Sequence, residues 1–552
     1  MKNIPGLLVL FGCLALNLSA QKGVIGKGED QIKMFNAQQA FYAGQAGDPS
    51  SFQKATNIYK DLLSQAPNDA NILGRIADCY FSMRQYDDAL SNAEKAKGID
   101  EKAYDRTALI LGKLYHMIGR LDDALTEYNV FKSIVGTSKE AKNSQIDMFI
   151  AQVMTAKELM AHPVDVKIQN MGDVINSEFD DKAPMVTADG KTLIFTSRRP
   201  GKSSQLDEDG KYFEDIYISK WDTVKKMWAD AELIPGSINT EAHDACTSIS
   251  PDGKQIFIYK NDVNGESRGG DIYASRLSSS GKWGGAKSVG KPINTTYWEG
   301  GACVSPDGKT MYLISERPGG LGHGDIYVAQ RKTRTEWDTP VNIGPTINTA
   351  EDEGGLFLAP DGKTLFFSSK GHNSMGSYDI FKTTLENGKW TTPVNLGYPI
   401  NTVNTDVCFS LTIDGKTGYF NSDRKGGLGE RDVYTVDLTN YPVLEKDMKP
   451  KVKTPTTEAT AVMAILKGDI FDAIANKGIE ADLKVYDDAG NEVGSTSSVT
   501  DSGEYFITLI AGKSYHVKIS KKGFKPIDEK VELIPAKEGP TTIVKHYLLY
   551  KE

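Results

Sequence analysis

The strongest constraint on this chain is a repeat that occurs five times. An Asp-Gly-Lys tripeptide stands at Asp189-Gly190-Lys191, Asp252-Gly253-Lys254, Asp307-Gly308-Lys309, Asp361-Gly362-Lys363 and Asp414-Gly415-Lys416. The spacing is roughly 54 residues, long enough for a unit of four short strands. Asp-Gly forms tight hairpin turns, since both residues tolerate positive φ. Each turn leads into an alternating apolar strand, such as residues 363–369. A glycine-rich loop follows, then a strand opening at Asp215, Asp271, Asp325, Asp379 or Asp432. In four units a tryptophan (Trp228, Trp283, Trp337 or Trp390) precedes a fourth short strand. Ile-Asn-Thr or Ile-Asn-Ser, at Asn176, Asn239, Asn294, Asn348 and Asn401, separates the units. The first copy precedes the first hairpin, so the strand near 164–168 has no unit of its own. The last unit, ending near Leu438, lacks a fourth strand. The early strand is therefore expected to pair with 432–436 and close the five units into a ring. Closure of this kind removes exposed strand edges.

These units resemble the Ser-Pro-Asp-Gly-Lys propeller repeats of the TolB and Tricorn type, which implies a five-bladed β-propeller over 163–440. A second repeat lies upstream. Ala77-Asp78-Cys79-Tyr80 and Gln85-Tyr86-Asp87-Asp88-Ala89-Leu90 recur 35 residues later as Gly112-Lys113-Leu114-Tyr115 and Arg120-Leu121-Asp122-Asp123-Ala124-Leu125. Ala55 and Tyr59 lie 34 residues before Ala89 and Ala93. The pattern resembles the tetratricopeptide repeat. About three units fit within 34–137, with 139–160 as a capping helix of a domain spanning 30–160. Such solenoids present a concave groove to a peptide or protein. Residues 441–462, rich in Pro, Lys and Thr, read as an extended linker. Residues 463–552 carry short alternating strands. Gly468-Asp469-Ile470-Phe471 and Thr500-Asp501-Ser502-Gly503-Glu504-Tyr505 resemble the carboxypeptidase regulatory-like domain, which implies a small non-catalytic β-sandwich. The fold class is thus multidomain, α then all-β: an α-solenoid of tetratricopeptide repeats, a five-bladed β-propeller and a small β-sandwich.

Lys2, the apolar run 4–16 and Ala20-Gln21 read as an export leader (1–20) cleaved after Ala20. The alternative is a lipoprotein signal with Cys13 acylated. No later stretch reaches the ~18 apolar residues of a membrane helix. A net charge of −9 excludes a general nucleic-acid binder, which needs a basic face. Five cysteines in 552 residues, with no CxxC, exclude a disulfide scaffold and a zinc finger. Cys79, Cys246, Cys303 and Cys408 read as buried free thiols. Gly265-Glu266-Ser267-Arg268-Gly269 matches a hydrolase elbow in letters, but it sits in a loop between strands. Residues 205–210 lack EF-hand spacing. The seven histidines are scattered. No catalytic residue, metal or cofactor is expected. Arg199, Arg317 and Arg424 occupy matching loops and read as partners of local aspartates rather than as an arginine triad.

One pattern is orderly. Eight residues before each hairpin Asp stands a carboxylate: Asp181, Asp244, Glu299, Glu353 and Asp406. They are expected to ring one mouth of the propeller channel. There they either take a cation or a basic partner, or each holds the backbone N–H groups of a turn. The whole order of modules resembles PorE-type periplasmic components of the type IX secretion system. That resemblance implies a non-enzymatic scaffold, periplasmic and associated with the outer membrane. It would bind envelope or outer-membrane proteins through its helical repeats and propeller, with no nucleic acid and no transmembrane segment. Family members continue into an OmpA-like domain that binds peptidoglycan. No such domain is read in this sequence, and no peptidoglycan-binding residues are carried over. Two other readings stand beside it: a propeller glycosidase or peptidase, and a TolB-like envelope-integrity protein.

Overall fold

The computed structural model describes residues 28–138, 143–202, 205–207, 210–261, 269–333, 336–445, 462–535 and 541–552. The leader, Ser267 and residues 446–461 of the expected linker lie outside the described residues.

The chain divides into two compact units, 1–150 and 151–552. In the first, α1 (Glu29–Gln45) packs on α2 (Ser50–Gln65), α3 (Ala70–Ser82) on α4 (Tyr86–Asp100), and α5 (Thr107–Met117) on α6 (Leu121–Val135). A further helix, α7, spans Ile146–Ala161. Small residues make the close crossings. Ala55, Ala89, Ala93 and Ala124 are fully buried. A Cβ on Gly112 would stand 2.4 Å from the Tyr128 ring. Asp69 starts α3 by accepting from the Asn71 and Ile72 amides at 3.0 and 3.1 Å, satisfying two otherwise orphaned helical donors.

The second unit is all β after α7. Five antiparallel sheets follow one another. Their first strands are Asp181–Val186, Asp244–Ile249, Glu299–Val304, Glu353–Leu358 and Asp406–Leu411. Each pairs across its Asp-Gly turn with a second strand: Thr192–Ser197, Gln255–Asn261, Thr310–Ser315, Thr364–Ser369 or Thr417–Ser422. Third strands open at or next to the expected aspartates. Consecutive first strands touch, and the fifth also touches the first. Every first–second pair carries a register shift near its start. The bulge turns an amide away from its own ladder, and three of these amides are taken up by a neighbouring sheet. Ala183 N–H donates to Asn421 Oδ1 (3.0 Å), Cys246 N–H to Thr196 Oγ1 (2.9 Å) and Cys408 N–H to Ser368 Oγ (3.3 Å).

The early strand joins the last sheet. It runs Lys167–Asn170, three residues later than expected, and pairs antiparallel with Tyr434–Asp437 through Ile168↔Val436 and Asn170↔Tyr434. The register is pinned by Asn170, whose Nδ2 donates to Asp432 Oδ2 at 2.7 Å. The start of the expected linker is not extended chain. Tyr441 and Val443 are buried against the fifth sheet, and Lys382 Nζ donates to the Glu445 carbonyl at 2.6 Å.

The carboxy-terminal sheets form a sandwich. Met463–Asp472 pairs with Glu504–Ile510, and, in parallel, with Thr541–Val544 and Tyr547–Leu549. The facing sheet orders Glu492–Ser497, Asp482–Tyr486, Ser514–Ser520 and Ile527–Glu532. Ala464, Leu466 and Ile470 point into the sandwich core. The alternate residues Met463 and Ile465 face the other way, against Ala188 and Ile413 at two hairpin turns of the five-sheet region. Thr508 Oγ1 donates to the Pro360 carbonyl at 2.8 Å, and Lys254 pairs with Glu504. The sandwich is therefore seated on the turn end of the sheets.

Candidate functional site

The five sequence-predicted carboxylates are the opening residues of the five first strands, and each is at most 2% exposed. Each accepts from the Ser or Thr four residues earlier, the third residue of the Ile-Asn-Thr/Ser segment. Asp181 takes the Ser177 amide (2.6 Å) and hydroxyl (2.7 Å). Asp244 takes Thr240 (2.5 and 2.8 Å), and Asp406 takes Thr402 (2.6 and 2.7 Å). Glu299 takes Thr295 (2.8 and 2.7 Å), and Glu353 takes Thr349 (3.0 and 2.7 Å). These bonds close a short loop at the start of each sheet. They are the turn-holding arrangement, repeated five times.

Four of the five carboxylates also meet a cation. Arg199 Nη2 donates to Asp181 Oδ1 and Arg424 Nη2 to Asp406 Oδ1, both at 2.6 Å. Arg317 Nη2 reaches Glu299 Oε1 at 3.3 Å. Lys260 pairs with Asp244. The loop arginines thus serve local carboxylates, as expected from the sequence. Lys260 had no such signal, because it stands where the other second strands carry the Ser197, Ser315, Ser369 and Ser422 hydroxyls. The same arginines donate to the carbonyls of Ile175, Ile293 and Ile400 at 2.6 to 2.7 Å.

The fourth repeat departs from this. Gly371 occupies the arginine position, and His372, at φ 52°, donates from Nε2 to the equivalent Ile347 carbonyl (2.8 Å). Glu353 has no cation partner among the described residues. Burial, with Asp325 nearby, pushes its carboxyl up to about 7.

Two further polar positions carry the architecture. The asparagines of the Ile-Asn segments bond both main-chain groups of the preceding sheet's third strand. Asn294, for instance, accepts from Ile272 N–H at 3.0 Å and donates to its carbonyl at 2.8 Å. Asp325, Asp379 and Asp432 capture amides of the glycine-rich loops, such as Leu321, Met375 and Leu428 at 2.8, 2.8 and 2.6 Å. Burial pushes the Asp379 carboxyl up to about 8. Among the described residues, no group of three or more His, Cys, Asp or Glu is placed to hold a metal ion. Cys79, Cys246, Cys303 and Cys408 are free thiols.

The helical unit has a different kind of site. A cavity of about 310 Å³ lies between α1, α3 and the α4–α5 loop, lined by Gln38, Tyr42, Arg75, Tyr104, Asp105 and Arg106 among others. Arg75 lies over the Tyr104 ring (4.8 Å) and donates to Asn71 Oδ1 (2.8 Å). Arg106 grips Asp78 with Nε and Nη2 at 2.6 and 3.3 Å. Lys113 lies over the rings of Phe149 and Phe81, at 4.7 and 5.7 Å. Ile32, Phe35 and Tyr42 expose apolar surface along α1.

Residues 48–96 match the family described as tetratricopeptide repeat. The helical part thus contains a stretch, α2 to α4, that matches tetratricopeptide repeats. No curated protein matches the chain. Among solved structures, the chain is similar to the type III secretion translocator chaperone SycD of Yersinia enterocolitica, at 19% identity over 24% of this chain and 97% of that one, with a TM-score of 0.20. The Sgt2 tetratricopeptide-repeat domain of Aspergillus fumigatus matches at 22% identity over 25% and 87%, with a TM-score of 0.21. The α-L-arabinofuranosidase PaAbf62A of Podospora anserina matches at 13% identity over 49% and 92%, with a TM-score of 0.32. No helix among the described residues is long and apolar enough to cross a membrane.

Proposed function

We propose that this protein is a non-enzymatic interaction scaffold of the cell envelope, exported to the periplasm and working beside the outer membrane in a type IX secretion or gliding machine. In this reading the helical region binds another envelope protein, and the five sheets form a five-bladed β-propeller that supplies a second surface. The tetratricopeptide-repeat match carries the reading, because such helices line a groove for a protein segment. The cyclic contacts of the first strands and the early strand in the fifth sheet support a propeller. The leader at 1–20 supports export, and the order of modules supports the secretion assignment. The non-enzymatic assignment is supported by the five carboxylates, whose oxygens are occupied by turn donors and cations. A glycosidase needs a pair of carboxylates open to substrate.

The test is a pull-down from envelope fractions with the whole protein and with a form lacking residues 28–138. Loss of at least one partner from the shortened form is expected. An unchanged partner set would reduce the helical region to a spacer.

A further inference from the structure

The carboxy-terminal sandwich treats the two edges of one sheet differently. That sheet runs from Glu492–Ser497 through Asp482–Tyr486 and Ser514–Ser520 to Ile527–Glu532, so its first and last strands each have one neighbour. An unpaired edge invites pairing with another chain, and proteins blunt it with charge, proline or cover. Ile527–Glu532 carries Asp528, Glu529, Lys530 and Glu532. Gly494-Ser495-Thr496-Ser497 carries no charge and no proline. Its strand has one irregularity, a register shift at the Glu492 end. The Ser498 amide donates to the Ala481 carbonyl at 3.0 Å, which sets the alternation of the ladder. Thr496 and Gly494 then bond inward, while Ser495 and Ser497 turn their N–H and C=O groups away from the sheet. Among the described residues no strand pairs with those groups.

That edge borders a groove. Two cavities of about 780 and 680 Å³ lie between the sandwich and the turn end of the second to fourth sheets, and they meet at Ser305, Pro306 and Asp307. Residues 492–495 line the first and 496–499 the second, so the groove follows the whole strand. It continues the seat in which Met463 and Ile465 already pack on Ala188 and Ile413. Leu385, Leu444 and Val493 leave apolar surface in it. Charge is uneven along it. The first cavity is lined by five carboxylates, Asp307, Asp361, Glu445, Asp487 and Glu492, and by two lysines, Lys363 and Lys513; a third lysine, Lys484, pairs with Glu492 at 3.0 Å. Asp307, Asp361 and Asp487 accept from neutral donors of their own turns, such as the Lys309, Lys363 and Asn491 amides at 3.0, 2.9 and 2.8 Å. The second cavity is balanced, with five carboxylates and five Lys or Arg side chains.

We propose that an extended segment of a partner protein, apolar at alternate side chains and carrying lysine or arginine, lies in this groove and adds as a strand to Glu492–Ser497. Main-chain bonds to Ser495 and Ser497 supply affinity, and the apolar, acidic lining selects the side chains. The proposal needs neither the helical region nor the secretion assignment.

The experiment uses the full chain and fluorescence anisotropy with a labelled peptide amide, Ser-Lys-Val-Thr-Val-Lys-Val-Ser. One control is methylated on three successive central amide nitrogens, which keeps the side chains and removes the pairing N–H groups. A second control replaces both lysines by glutamate. The parent peptide should bind, and each control should bind at least tenfold more weakly. Ser495→Pro should cost at least tenfold with an unchanged thermal melt, because an outward N–H serves no ladder bond and an edge strand tolerates proline. Asp528→Asn, on the opposite edge, should change nothing. If Ser495→Pro unfolds the sandwich, the methylated peptide decides. Equal binding of either control, no binding of the parent, indifference to Ser495→Pro, or an equal loss with Asp528→Asn would overturn the proposal. So would a dimer of this protein that Ser495→Pro abolishes, which would assign the edge to a second copy. The pull-down with the form lacking residues 28–138 tests a different surface, so the two failures are distinguishable.

Discussion

The helical groove and the five-sheet region both hold charge away from water, and they treat it in opposite ways. In the sheets, a carboxylate at the start of each first strand is met by an amide and a hydroxyl, and in four of five cases by a cation of its own repeat. In the helices, Arg75 and Lys113 lean on aromatic rings and form no ion pair among the described residues, while the carboxylates nearby are Asp78, held by Arg106, and Asp105. The first arrangement is complete in the isolated chain and reads as architecture. The second sets its cations against rings instead, so burial of a charge alone does not mark a binding site.

The sharpest way to break this comparison is to orphan a sheet carboxylate. Arg424→Ala leaves Asp406 buried without its cation and should cost about 3 kcal/mol or more, measured by urea melts of the full chain. A loss below about 1 kcal/mol would show that the Thr402 bonds suffice, and the carboxylates would return to consideration as a ligand ring.

Glu353 tests the same logic at the repeat that lacks a cation. Its pKa is raised in the folded protein from 4.5 to about 7. A raised carboxyl favours folding while protonated. That contribution is fully present below about pH 4.5 and is lost as pH climbs through about 7, on the order of 3 kcal/mol in all. Glu353→Gln should flatten this part of the pH dependence and match or exceed wild-type stability at pH 8. An identical pH dependence in both proteins would mean that Glu353 is ionised in the fold.

The smallest effect lies in the helices. Lys113→Met removes a partly buried cation that makes no ion pair among the described residues, so stability should stay level or rise by up to about 1 kcal/mol. A clear loss would show that the lysine is structural, and the contrast between the two regions would fail.

Much of the architecture was legible because repetition reports it. The Asp-Gly-Lys turns, the third-strand aspartates and the carboxylates eight residues upstream mark equivalent places in each sheet. The strand near 164–168 was legible because it had no unit of its own and the last unit lacked a fourth strand, and Val164, Val166 and Ile168 do pack on the fifth sheet. Its register was not legible, since it depends on Asn170 reaching Asp432 across 262 residues. Lys260 and His372 were missed for a related reason: each substitutes for an arginine from a different position in its repeat. The seating of the sandwich did leave a trace. The unbroken apolar run 462–466 is what a strand buried on both faces requires. The helical charges were invisible because Arg75, Arg106 and Lys113 follow no periodic pattern, and only the packing of α3 on α5 gathers them.

The strand Lys167–Asn170 also bears on how the chain is made. Its hydrogen-bonding partner is Tyr434–Asp437, so the fifth sheet stays incomplete until nearly the whole middle region has been synthesised. Pairings this distant in sequence form slowly, because loop-closure entropy is lost before the contact rewards it. The middle region is therefore expected to gain protease resistance late, once Lys167–Asn170 meets its partner strand.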